Sequence, residues 1–111
     1  MSVALNDPDV SLNASIITPL PGKLPDAIHK IRQGCLLEFF HDEERMNELP
    51  AESGNTTICF AATPGKDPTV YFYNMYSPNP AWVPLETTVV GGNACATANE
   101  SGVYVAAFTK P

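Results

Sequence analysis

A chain of 111 residues with 44% apolar and 16% charged side chains is long enough for one domain with a real core and too apolar for a disordered segment, and two large domains are excluded. Twelve acidic against six basic residues give a net charge of −6, which repels a phosphate backbone or an anionic bilayer surface, so neither nucleic acid nor membrane is expected as a partner. No run approaches the ~18 continuous apolar residues of a membrane span.

The opening residues Met1 to Pro8 lack the basic and apolar blocks of a signal peptide, so a cytosolic setting rather than signal-directed secretion is expected. Residues 1–24 carry Pro8, Pro19 and Pro21, and proline drives itself and its predecessor toward extended backbone. This spacing predicts an extended arm, with Ser11 to Ile17 able to pair as a short strand. Residues 25–111 then form a single β-rich domain. Its one expected helix lies near 25–33, with Pro25 at the first turn, Lys30 and Arg32 in the last and Gly34 as the cap. Cys35 to Phe40 reads as a strand followed by one or two helical turns through the acidic stretch to Leu49.

Four β-branched and aromatic runs follow, at Thr56 to Ala62, Thr69 to Tyr76, Trp82 to Val90 and Gly102 to Thr109. Thr63-Pro64-Gly65, Ser77-Pro78-Asn79-Pro80 and Gly91-Gly92-Asn93 punctuate them. The expected fold is mainly β: a small antiparallel sandwich or open barrel with one short helix and an extended N-terminal arm.

Charge divides the chain. Residues 1–55 hold nine acidic and four basic side chains, whereas residues 56–111 hold three and two, together with eight of the ten aromatics. In the runs from Thr69 and from Gly102 both faces are apolar or aromatic: Val70 and Phe72 against Tyr71, Tyr73 and Met75, and Val103, Val105 and Ala107 against Tyr104, Ala106 and Phe108. A half-buried antiparallel sheet should show polar residues on its outer face. The second face is therefore covered, either by the chain's own first half or by another protein copy. Aromatic-rich, Lys-poor surfaces have the composition of interface cores. On that reading the contact residues are Tyr71, Tyr73, Met75, Trp82, Tyr104 and Phe108, with Trp82, set between Pro80 and Pro84, as either a core plug or an interface anchor.

Chemistry is sparse. Cys35, Cys59 and Cys95 are an odd set without short spacing, and reduced core thiols are expected. Asn13, Asn55 and Asn99 open Asn-x-Ser/Thr triplets, which matter only in an exported chain. His41, Glu44 and Glu48 would share a helix face, an array able to meet a divalent cation but more simply an exposed acidic turn. Neither Gly-Lys pair sits in a phosphate loop, no Gly-x-Ser-x-Gly element exists, and His29 reads as solvated. No cofactor, metal or catalytic residue is expected, and the chain is read as a non-enzyme.

These observations lead to an assembly protein working through contacts with copies of itself or with a larger protein shell. A β-rich body with an extended arm is similar in class to small virion decoration or cement-type subunits of phage capsids, an analogy of architecture without residue correspondence. The alternative is an acidic binding module or inhibitor that presents Asp42 to Glu52 to a basic host protein, and a third reading is a small enzyme of unknown class.

Overall fold

The computed structural model describes residues 2–5, 9–17, 21–22, 28–30, 34–50, 54–61 and 68–109. They form eleven strands: β1 Ser2–Leu5, β2 Val10–Ile17, β3 Ile28–Lys30, β4 Gly34–His41, β5 Glu44–Met46, β6 Gly54–Ala61, β7 Pro68–Tyr73, β8 Trp82–Pro84, β9 Thr88–Val90, β10 Asn93–Thr97 and β11 Gly102–Thr109. Every pairing between them is antiparallel. One sheet runs β1-β6-β10-β9; the other runs β2-β4-β11-β7-β8, with β5 added beside β4 and β3 beside β11. The protein is mainly β, as its alternating β-branched and aromatic runs dictate.

The inner faces meet in one core. Ile58, Phe60, Ala94 and Ala96 project from the four-stranded sheet onto Leu37, Val70, Phe72, Tyr104 and Ala106 of the other. Small alanines oppose large rings, which lets the layers interdigitate, and the Phe72 and Tyr104 rings pack with centroids 4.7 Å apart. A smaller cluster of Val10, Phe39 and Leu49 closes one end. Each such large side chain contributes roughly 1.5–3 kcal/mol by leaving water.

Three sequence expectations are corrected. No helix occurs among the described residues. Within the segment expected to be helical near 25–33, Ile28–Lys30 is a strand paired with Ala107 to Thr109 of β11, while residues 25–27 and 31–33 lie outside the described residues. A helix of nine residues is marginal by itself, and pairing with a buried strand outweighs its terminal signals. The expected helical turns after Phe40 are instead the hairpin β4–β5. Its two-residue loop, Asp42 and Glu43, has φ of 50° and 71°, the left-handed pair that a twisted hairpin requires.

Cysteine is the third correction. Cys59 and Cys95 face each other directly across β6 and β10 with Cα atoms 4.1 Å apart, and they form a disulfide. The run Trp82 to Val90 also divides: β8 belongs to one sheet and β9 to the other, and residues 85–87 carry the chain across. That crossing is tied to β7, because Leu85 N donates to the Val70 carbonyl and Val70 N donates to Thr87 Oγ1, each at 2.8 Å.

The segment read as an arm supplies a strand to each sheet. β1 pairs with Gly54 to Thr57 of β6, and β2 pairs with the whole of β4. Farther on, Pro21 and Gly22 pass over the outer face of the larger sheet: the Pro21 carbonyl accepts from Trp82 Nε1 at 3.1 Å. A Cβ at Gly22 would lie 2.8 Å from the Tyr73 ring, and φ there is +63°, so only glycine fits.

Candidate functional site

Both faces of β11 are buried within one chain. Tyr104 and Ala106 point into the core, and Val103, Val105 and Ala107, which point the other way, are also 0% exposed. No neighbouring copy is needed to shield this strand: of the two covers open on sequence grounds, the chain itself or another copy, the chain itself buries both faces of β11. Tyr104 is a core residue, its hydroxyl donating to the Glu100 carbonyl at 2.7 Å, and burial pushes its phenol well above the ordinary tyrosine range. Tyr73 and Trp82 stack at 5.0 Å between ring centroids beneath Pro21 and Gly22. Tyr71, Met75 and Phe108 are partly buried. The six side chains therefore share no single open surface.

What remains open is an edge. β2 is the terminal strand of the larger sheet; β4 occupies one side of it, and among the described residues nothing pairs with the other. Its sequence, Val10-Ser11-Leu12-Asn13-Ala14-Ser15-Ile16-Ile17, has neither charge nor proline. Only Val10 is fully buried, and Ile16 is 72% exposed. Natural edges are usually blunted by charge, proline or brevity. β2 has none of the three. Sequence reasoning identified the strand but missed its exposure, since β2 lacks the charge, proline or brevity that mark an edge in a sequence.

A second feature lies at one end of the sandwich, where three connections converge. Asn47, Phe72, Asn74, Tyr76, Ser77, Pro78, Glu100 and Ser101 line a cavity of about 330 Å³. Hydrogen bonds pin each wall. Ser101 N donates to the Asn47 carbonyl at 2.8 Å, and Ser101 Oγ both accepts from Phe39 N and donates to the Met46 carbonyl. Asn74 Oδ1 accepts from Ala81 N at 2.9 Å, closing the loop after β7. Arg45 spans two of the walls: its guanidinium lies 3.7 Å from the Tyr76 ring centroid and donates to Asn47 Oδ1 at 2.7 Å. Tyr76 in turn donates to Glu38 Oε2 at 3.3 Å, and partial burial, with the nearby Glu38 charge, holds its phenol above the usual value. Partial desolvation, reinforced by the negative charge of Glu48, raises the Glu100 carboxyl.

A broader groove of about 500 Å³ crosses the outer side of the smaller sheet, lined by Thr57, Leu85, Glu86, Thr88, Cys95, Ala96 and Thr97. The half-exposed disulfide lies on that side, because Thr56, Ile58 and Phe60 alternate with it and point inward. The remaining thiol, Cys35, is half-buried, and its burial raises its pKa, which leaves it a weak nucleophile.

The array of His41, Glu44 and Glu48 does not form on a helix face, since these residues lie on a hairpin and the loop beyond it. Instead Asp9, His41 and Asp42 place one ligand atom each within 4.8 Å of one another, all of them exposed to solvent. His41 Nδ1 lies 3.4 Å from Asp42 Oδ2, and Asp42 N donates to the Asp9 carbonyl at 3.1 Å. Among the described residues, no helix is long and apolar enough to cross a membrane. Comparison of the chain with protein-family models, with curated proteins and with solved structures finds no match.

Proposed function

We propose that the protein is a structural subunit that works through protein–protein contacts, of the kind that decorates or cements a virion shell, and that its primary partner is a second copy of itself paired along β2. The observation that carries this reading is the eight-residue, uncharged, open edge. Two such strands set antiparallel about a two-fold between Asn13 and Ala14 would join two seven-stranded sheets into one. The pairing places no charge opposite another charge. The nearest carboxylate in space, Glu38, lies on β4 beside Asn13, so its symmetry mate would sit three strand spacings away, about 14 Å at ~4.8 Å each, still beyond the ~8–10 Å Debye length at physiological salt. A chain of net charge −6 can thus approach itself here without the repulsion that the rest of its surface imposes.

The test is light scattering coupled to size exclusion at low and high salt. The reading predicts a dimer or larger assembly that survives 1 M salt, because backbone pairing and apolar burial drive it. Ala14→Lys, a change at an exposed position that places a charge on the joining edge, should give a folded monomer. A wild-type monomer at all salt concentrations overturns the proposal.

A second reading is favoured by one observation: Asp42, Glu43 and Glu44 crowd the exposed tip of β4–β5 beside Asp9. An acidic module that docks there on a basic protein would be a monomer whose binding weakens steeply with salt, the opposite outcome in the same measurements.

A further inference from the structure

The cavity at the end of the sandwich is not used by edge pairing, and its make-up specifies a ligand class. It is large enough for one ring-sized ligand and too small for a folded partner, since small-molecule sites begin near ~300 Å³. Its polar groups are two carboxamides, three hydroxyls and one carboxylate. Ser101 Oγ is already bonded on both sides and Tyr76 donates to Glu38, so the Asn47 and Asn74 NH2 groups and the Ser77 hydroxyl supply donors and Glu100 the acceptor for a ligand with several adjacent hydroxyls. Tyr76 and Pro78 supply apolar surface against which the C–H face of a ring can rest. Charge selects further. Glu100 is the only ionisable carboxylate in the lining, and the Arg45 guanidinium stands directly behind Tyr76 and Asn47. A cation would meet Arg45 and an anion would meet Glu100, whereas a neutral ligand meets neither penalty.

The walls are also set in place before any ligand arrives. Asn47 is oriented by Arg45, Tyr76 is held from its ring and its hydroxyl, Asn74 is fixed by Ala81 N, and Ser101 ties the floor to β4. Preorganised side chains lose little freedom on binding, which is what lets a small polar ligand be held at all.

We infer that this cavity binds a neutral pyranose sugar, with Glu100, Asn47 and Asn74 addressing its hydroxyls and Tyr76 and Pro78 its apolar face. Glu100 is the informative position. Its backbone N–H and carbonyl both bond the Tyr104 hydroxyl, and no side-chain hydrogen bond is needed to hold the loop, so removing its carboxylate leaves the wall standing.

Ligand-observed NMR and calorimetry on the full chain, with D-glucose, D-galactose, D-mannose and N-acetyl-D-glucosamine as separate probes, test this. At least one should bind, with a dissociation constant in the millimolar range typical of a few hydrogen bonds, about 1 mM. Glu100→Ala should weaken it by roughly 10- to 100-fold, the worth of a hydrogen bond to a charged group, with the thermal transition retained. Glu86→Ala, in the separate groove on the smaller sheet, should leave binding unchanged. The proposal is overturned if none of the four sugars binds at 50-fold that concentration, if Glu100→Ala binds as the wild type does, or if Glu86→Ala abolishes binding. Failure here would leave the edge-strand reading intact, because Ala14→Lys addresses a different surface.

Discussion

Glu100 shows how one side chain can carry a stability penalty for the sake of its place. Burial and the neighbouring Glu48 charge disfavour its ionised form, so the folded chain holds the proton more tightly than the unfolded chain does. Stability must then fall as pH rises from the ordinary glutamate value, ~4.3, through the raised one, and the penalty is fully present above the raised value. Glu100→Gln removes the titration and keeps the shape. Urea denaturation should find this variant more stable than the wild type at pH 7 and level with it near pH 3.5. An equal difference at both pH values would show that the substitution acts through packing instead. Tyr73 is a contrasting residue. Its ring is half-buried, stacked on Trp82 and packed against Gly22, so it supports the crossing of the chain's own first half.

At the level of strands, most of the fold is legible in the sequence. The run Gly102 to Thr109 coincides with β11, and Cys35 to Phe40, Thr56 to Ala62 and Thr69 to Tyr76 fall within three residues of β4, β6 and β7 at either end. Period-two patterning and β-branched residues need no tertiary information to be recognised. What could not be read was pairing. Ile28–Lys30 becomes a strand only because β11 has room beside it, past the point where β4 departs. The Cys59–Cys95 link depends on the register of two strands separated by Gly-, Pro- and Thr-rich turns, which no local spacing encodes. The end cavity was invisible for the same reason: its walls come from residues 47, 72–78 and 100–101, which only the folded topology brings together.

Gly102 marks where that topology is tightest. It begins β11 with φ of +153°, and a Cβ there would lie 2.6 Å from the Tyr73 carbonyl oxygen and 2.5 Å from the Phe72 ring. The nearer backbone belongs to the paired strand and cannot move without breaking the ladder. Gly102→Ala should therefore destabilise the protein by about 1–3 kcal/mol through overpacking alone. Gly92→Ala provides the comparison. Its φ of +81° is also unfavourable for a side chain, but its Cβ would meet nothing within 4 Å, so it should lose only the ~1 kcal/mol of a left-handed residue. Chemical denaturation of the two variants separates conformational strain from steric clash, and equal losses would refute the crowding argument.

Over the whole molecule, the chain ties two sheets together with unequal security. The larger sheet is buried on both sides of β11, whereas the outer side of the smaller one is half-exposed at Thr57 and Cys59, and its last strand, β9, is exposed throughout, with Val89 and Val90 56% and 60% accessible. The disulfide falls in this weaker layer. It joins positions 36 residues apart, and closing a loop of that length in the unfolded chain is worth about 2–4 kcal/mol. Intact-mass measurement under non-denaturing, non-reducing conditions should find the chain lighter by two hydrogens, about 2 Da, than after reduction. A reductant, or the double variant Cys59→Ala and Cys95→Ala, should then lower the thermal midpoint by roughly 10 °C for a domain of this size. Because Cys59 and Cys95 lie outside the buried core, the reduced chain should keep its β-type circular dichroism. It should also retain β2 pairing in light scattering, since β2 belongs to the other sheet. Loss of dimerisation on reduction would mean that the two layers are coupled and that the edge of the larger sheet depends on the order of the smaller.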